Sequence, residues 1–223
     1  VSNSIAALDR ITVEGEIRSN GTLAASFNGV LEAIVFEKPS QITTLGDDGP
    51  TMTFFNQESK LFTGEATVSN GKFSFTFVVP KDIDYQLGMG KISLYAKHAT
   101  QFWDAGGYED LTVGGSSANP VIDSEAPTAT LHLENTDFQS GDLVSRQPLI
   151  LANISDASGF NLTGLGLGHD LAISIDDGEF FYILNDEFEP VMDDFTKGNV
   201  SFRIPDVLSP GRHTAKLSVF DVN

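Results

Sequence analysis

Residues 159–183 read GFNLTGLGLGHDLAISIDDGEFFYI, and the pattern of this stretch decides the fold class. Glycines punctuate its first half. Leu171, Ile173 and Ile175 then recur at every second position, the period of a strand with one face buried. The run closes on Asp177-Gly178, a dipeptide that accepts the positive φ of a tight hairpin turn, and Phe180-Phe181-Tyr182-Ile183 resumes at once. The reading is a loop that feeds a β-hairpin, which makes the surrounding region all-β.

The same pattern extends in both directions. Upstream, Ile11 and Val13 alternate with Thr12 and Glu14. Further runs follow at 30–36, 52–55, 92–97 and 111–113. In 72–77, Phe73, Phe75 and Phe77 share one face with Val79, and Pro80 stops the strand. Asn70-Gly71 just before it is a type I′ turn signal that pairs this strand with 65–69. Downstream, strands are expected at 128–133, 149–154, 171–175, 180–184, 200–204 and 213–219, with turn signals at the spacing of a sandwich. The small, polar segment 114–120 restarts the pattern near the midpoint. Each strand has one apolar face, so each sheet needs a second sheet to cover it. The expected architecture is two tandem immunoglobulin-like antiparallel β-sandwich domains, residues 1–118 and 127–223, joined by a linker at 119–126.

Of the 223 residues, 40% are apolar, enough for real cores. The net charge is −18, with −6 over residues 1–122 and −12 over the shorter 123–223. Such a chain repels nucleic-acid phosphates and anionic membrane surfaces, so neither a nucleic-acid partner nor direct membrane insertion is expected. There is no cysteine, hence no disulfide, no Cys-ligated metal and no thiol nucleophile. The chain begins at Val1 without a basic or hydrophobic leader, as expected of a mature secreted protein or a fragment of a larger one.

Candidate chemistry is sparse. The glycines of 164–168 have neither the spacing of a phosphate loop nor a following helix, and they read as turn residues. His169-Asp170 lacks a nucleophile on a sharp turn, and neighbours on a strand point to opposite faces. No catalytic residues are nominated, and no organic cofactor is expected. Asp186, Glu187, Asp193 and Asp194, beside Glu189, form an acidic loop that is the candidate Ca²⁺ site, since hard cations take several carboxylate oxygens. Asp123 and Glu125, between the two halves, offer a weaker one. Trp103 and Tyr108, in a glycine-rich segment, are the candidate stacking surface for a sugar ring.

Several segments, in order, carry a family resemblance: 8–16 (LDRITVEGE), 61–69 (LFTGEATVS), 71–83 (GKFSFTFVVPKDI), 90–96 (GKISLYA), 113–115, 156–161 (DASGFN), 168–170 (GHD), 210–213 (PGRH) and 219–223 (VFDVN). The chain resembles the C-terminal, non-catalytic part of the gingipain-like C25 cysteine peptidases that act as sortases of the bacterial type IX secretion system. The resemblance implies an upstream caspase-like peptidase domain in the same parent chain, which holds the catalytic Cys and His. It also implies a bacterial cell-surface or outer-membrane location and an outer-membrane β-barrel partner. The parent would remove C-terminal signals from exported cargo and attach the cargo to surface lipopolysaccharide. This chain has no cysteine, so no catalytic residue carries over to it. The expected role is that of an accessory module that positions the peptidase domain and contacts secretion partners. A glycan-binding or adhesive surface protein is the alternative.

Overall fold

Strand after strand buries every second side chain, and the sheets are arranged so that those buried rows meet. The computed structural model describes residues 4–47, 49–165 and 168–223. The first half contains β1 (Ser4–Ala7), β2 (Arg10–Glu16), β3 (Arg18–Ser19), β4 (Thr22–Leu23), β5 (Gly29–Phe36), β6 (Ser40–Thr43), β7 (Thr53–Asn56), β8 (Lys60–Val68), β9 (Lys72–Val78), β10 (Gly88–His98) and β11 (Asp104–Ser116). A five-stranded sheet in the order β1-β11-β10-β5-β8 faces the pair β2-β9. Leu31, Ala33 and Val35 of β5, Ala66 and Val68 of β8, and Leu111 and Val113 of β11 meet Phe73, Phe75 and Phe77 of β9 in one core. Phe62 of β8 bridges the layers, its ring stacked on Phe75 and Phe77 at 5.6 and 4.8 Å.

The second half contains β12 (Thr128–Leu133), β13 (Leu149–Ser155), β14 (Ala172–Ile175), β15 (Phe180–Ile183), β16 (Phe188–Val191), β17 (Asp194–Arg203) and β18 (Ala215–Ser218). Its sheets are β12-β13-β17-β16 and β15-β14-β18. Ile150, Ala152, Ile154 and Val200 from one pack on Leu171, Ile173, Ile175 and Leu184 from the other. The opening segment forms the hairpin read from its pattern: Ala172 pairs with Ile183 and Ile175 with Phe180. The connection carries positive φ at Asp176, Asp177 and Gly178.

Three features differ from the sequence reading. Asn70 and Gly71 do take positive φ (53° and 74°), but the strands on either side join different sheets and share only a Ser69–Lys72 bridge. Both strands are apolar on one face, and those faces are buried against each other only if the strands separate into opposite layers. The pairing is not wholly antiparallel either, because β1 runs parallel to β11, matching Ser4 with Thr112 and Ile5 with Val113. Finally, Gly114 and Gly115, in the small, polar segment that interrupts the sequence pattern, are near the end of β11, which spans thirteen residues. Its polar Asp-Ala-Gly-Gly-Tyr-Glu-Asp start hid the strand, because β10 supplies the backbone partners that its composition does not advertise.

Candidate functional site

The chemistry-bearing side chains of this protein gather where the two sandwiches meet. β8 is an edge strand, so the outward carbonyl of Glu65 and the N–H of Thr67 need partners. The turn between β16 and β17 supplies them. Asp193 sits at its tip with φ 60°, which aims both its backbone and its carboxylate at β8. Its N–H donates to the Glu65 carbonyl at 2.9 Å. Its carboxylate accepts the Thr67 N–H at 2.7 Å and the Thr67 hydroxyl at 2.6 Å. An aspartate with an extended neighbour thus caps a sheet edge as a strand would. Close to it the Arg10 guanidinium lies over the Phe195 ring at 5.5 Å, and at the opposite end of β8 Lys60 pairs with Asp186 at 2.6 Å. Beneath these contacts Leu61 and Phe77 meet Phe160, Leu162, Phe188 and Val222 around a void of about 20 Å³, room for about one water.

A second set of contacts holds the far end of the joint. Asp82, from the first half, accepts the Asn161 amide at 2.8 Å and faces His169 Nδ1 at 2.6 Å. Asn161 is buried, and its own carbonyl oxygen accepts the Thr163 hydroxyl. The Lys81 N–H donates to the Val222 carbonyl at 2.7 Å. Asn223 ties three segments together: its side-chain oxygen accepts the Asp123 N–H, and its amide donates to the Ser158 hydroxyl. Burial raises the Asp221 pKa above the usual carboxylate range, and the nearby charges of Asp156 and Asp123 add to the rise.

The residues singled out from sequence fall as follows. Asp186 goes to Lys60 and Asp193 to Thr67, while Asp194 accepts from Lys197, Thr196 Oγ1 and the Thr196 N–H. The Lys197 and Thr196 contacts hold the Asp194 carboxyl below its ordinary pKa. Glu187 is exposed on the short turn after β15. Among the described residues no three His, Asp or Glu side chains converge in the manner of a metal site. His169 faces Asp82, whereas Asp170 accepts the Asn185 amide, so the two neighbours serve different partners. Gly166 and Leu167, part of the glycine-rich segment, lie outside the described residues.

Trp103 is half-buried, stacked on His98 at 5.7 Å and edge-on to Phe27 at 4.9 Å. Tyr108 is exposed on the outer face of β11 and pairs with Ser93 of β10. Its diagonal neighbour on that face is Tyr95, which sits opposite Gly106. The structure therefore separates Trp103 from Tyr108 and brings Tyr95 to the latter. Sequence reasoning missed Thr67, Asp82 and Asn161, because nothing in their local pattern marks them until the two halves are brought together.

Fold and joint together define an all-β module of two sandwiches interlocked at a polar seam. No protein-family model matches the chain, and no curated protein sequence does. Among solved structures it is similar to dimeric latent PorU from Porphyromonas gingivalis, with 30% sequence identity and a TM-score of 0.52 over 99% of this chain. The chain spans 21% of the length of that protein. The likeness supports the resemblance of its segments to the C-terminal region of PorU, over nearly the whole chain and in three dimensions.

Proposed function

We propose that this chain is a non-catalytic accessory module of a surface-exposed, gingipain-like cysteine peptidase of the type IX secretion sortase kind. In this reading the two sandwiches act as one stiff spacer that positions the upstream peptidase domain and contacts secretion partners, among them an outer-membrane β-barrel. The observation that carries it is the clasp of Asp193 on Glu65 and Thr67, which ties one sandwich to the other's sheet edge. A spacer transmits position only if its joint does not swing. The likeness to part of PorU supports the parent's class. The test is in-frame removal of the segment encoding residues 1–223 from the parent gene, followed by mass spectrometry of exported cargo. Cargo that keeps its C-terminal signal is the expected result, and unchanged processing overturns the reading. The purified chain is expected to cleave no peptide substrate, with or without reductant and calcium.

One observation favours a second reading. Tyr95 and Tyr108 share an exposed sheet face with Gly106 between them, a flat aromatic surface suited to stacking on sugar rings. On a glycan array, binding that disappears with Tyr108→Ala would favour the adhesive role. Absence of any binding would remove it.

A further inference from the structure

The outer edge of β15 has features that the joint and the sheet faces do not use. β15 is the edge strand of its sheet, and among the described residues only β14 pairs with it. The Leu184 N–H donates to the Leu171 carbonyl at 2.7 Å, which fixes the alternation of the ladder. By that alternation the backbone groups of Phe181 and Ile183 point away from β14, towards open space. The same two residues put their side chains on the outer face, 60% and 58% exposed.

Three other edges carry a protecting feature. β8 is capped by Asp193, β16 carries Pro190, and β18 carries Lys216. β15 has no proline, no lysine and no bulge. Its ends are acidic: Asp177 and Glu179 precede it and Asp186 and Glu187 follow, all exposed. Asp186 is shared with Lys60, Asp176 is taken by His213, and Lys216 lies two strands away on the same face. The balance at both ends of the edge is therefore negative.

We propose that the outer edge of β15 is a strand-addition site for an extended, alternately apolar segment of a partner protein that carries lysine or arginine at its ends. The partner's backbone would complete the ladder at Phe181 and Ile183. Its apolar side chains would cover those two, and its cations would meet Asp177, Glu179 and Glu187. A second copy of this chain fits poorly, because antiparallel pairing of β15 with itself sets Asp177 and Glu179 of one copy against Asp186 and Glu187 of the other. The inference rests on this edge alone and does not depend on the sortase reading.

The probe is a capped nonapeptide that alternates isoleucine or valine with threonine and has two lysines at each end. It is titrated into the ¹⁵N-labelled chain and followed by amide shifts and hydrogen exchange. Binding at about 10–100 μM is expected, with the amides of Phe181 and Ile183 shifted and protected. The affinity should fall about tenfold or more in the Phe181→Lys/Ile183→Lys variant and for a glutamate-flanked peptide. A Phe181→Thr/Ile183→Thr variant, which keeps strand propensity, should weaken binding too and covers the case in which the lysine variant fails to fold. No shift at β15 up to about 1 mM peptide, shifts that map elsewhere, or equal binding of the glutamate-flanked peptide would overturn the proposal. So would light scattering that shows the free chain dimeric with its β15 amides already protected.

Discussion

At the scale of single residues, two titratable groups make the fold less stable as pH rises, each in its own pH window. His213 places Nδ1 2.6 Å from an Asp176 carboxylate oxygen and Nε2 2.7 Å from the Ser209 carbonyl. Both neighbours only accept, so the ring satisfies both as the doubly protonated cation. The hydrogen bond to Asp176 raises the His213 pKa from its usual 6.5, with the Ser209 carbonyl adding to it, and the same contact lowers that of Asp176. A base whose pKa is raised on folding stabilises the fold fully below its unfolded value and loses that contribution as pH rises through the folded one. NMR titration of the His213 ring should give a midpoint above 6.5 that falls back towards it in Asp176→Asn. Asp221 acts with the same sign at lower pH. Burial raises its pKa, so its ionised form is penalised in the folded state at neutral pH and its protonated form is not. Asp221→Asn should therefore raise Tm at pH 7, with the gain shrinking as pH falls through the carboxylate range. The substituted amide oxygen can still accept the Asn223 N–H that Asp221 accepts at 3.0 Å.

At the scale of elements, strand glycines are occupied by their neighbours' rings. A Cβ on Gly198 of β17 would come 2.0 Å from Phe188 of β16, and one on Gly15 of β2 would come 2.1 Å from Phe73 of β9. The rings lie flat over the missing side chains, which keeps the strands close and covers their backbone. Gly198→Ala should cost about 1–3 kcal/mol in urea denaturation, because the Phe188 ring has to leave its place. Gly107→Ala is the control: it lies on exposed β11 with nothing within 4 Å of the added carbon, and stability should stay unchanged. Element existence was legible wherever a strand alternates in its own sequence, as in β9 and β14. It was not legible in β16, whose Phe-Glu-Pro-Val is a strand only because β17 pairs with it along one side and Pro190 faces the edge.

At the scale of the whole molecule, two residues of the acidic loop fasten one sandwich to the other. Asp186 and Asp193 were read from sequence as cation ligands, and the structure places both on the neighbouring sandwich. Asp193→Ala leaves the Thr67 N–H and hydroxyl without their acceptor and should cost about 1–3 kcal/mol of the joint's stability. The readouts are a larger radius of gyration by small-angle scattering and faster proteolysis between residues 117 and 127. Thr67→Val, which removes only the hydroxyl, should show the same trend more weakly. If neither variant changes scattering or cleavage, the apolar contacts of Leu61, Phe77, Phe160 and Phe188 hold the joint without the clasp.

What the sequence determined by itself is local. Period-two burial, as in Phe73-Phe75-Phe77, and residues that accept positive φ, as at Asn70-Gly71 and Asp177-Gly178, follow from the chain's own stereochemistry and specify strands and turns. They specify an all-β protein but not which strands become partners. The tertiary structure decided that β8 and β9 part into opposite sheets, that β1 runs parallel to β11, and that Asp193 meets Glu65 and Thr67 of the other half. The physical reason is that a sheet edge or an apolar face has no preference of its own for one complementary surface. That choice is made by the contacts between residues such as Thr67 and Asp193, 126 positions apart, which exist only once both halves have folded.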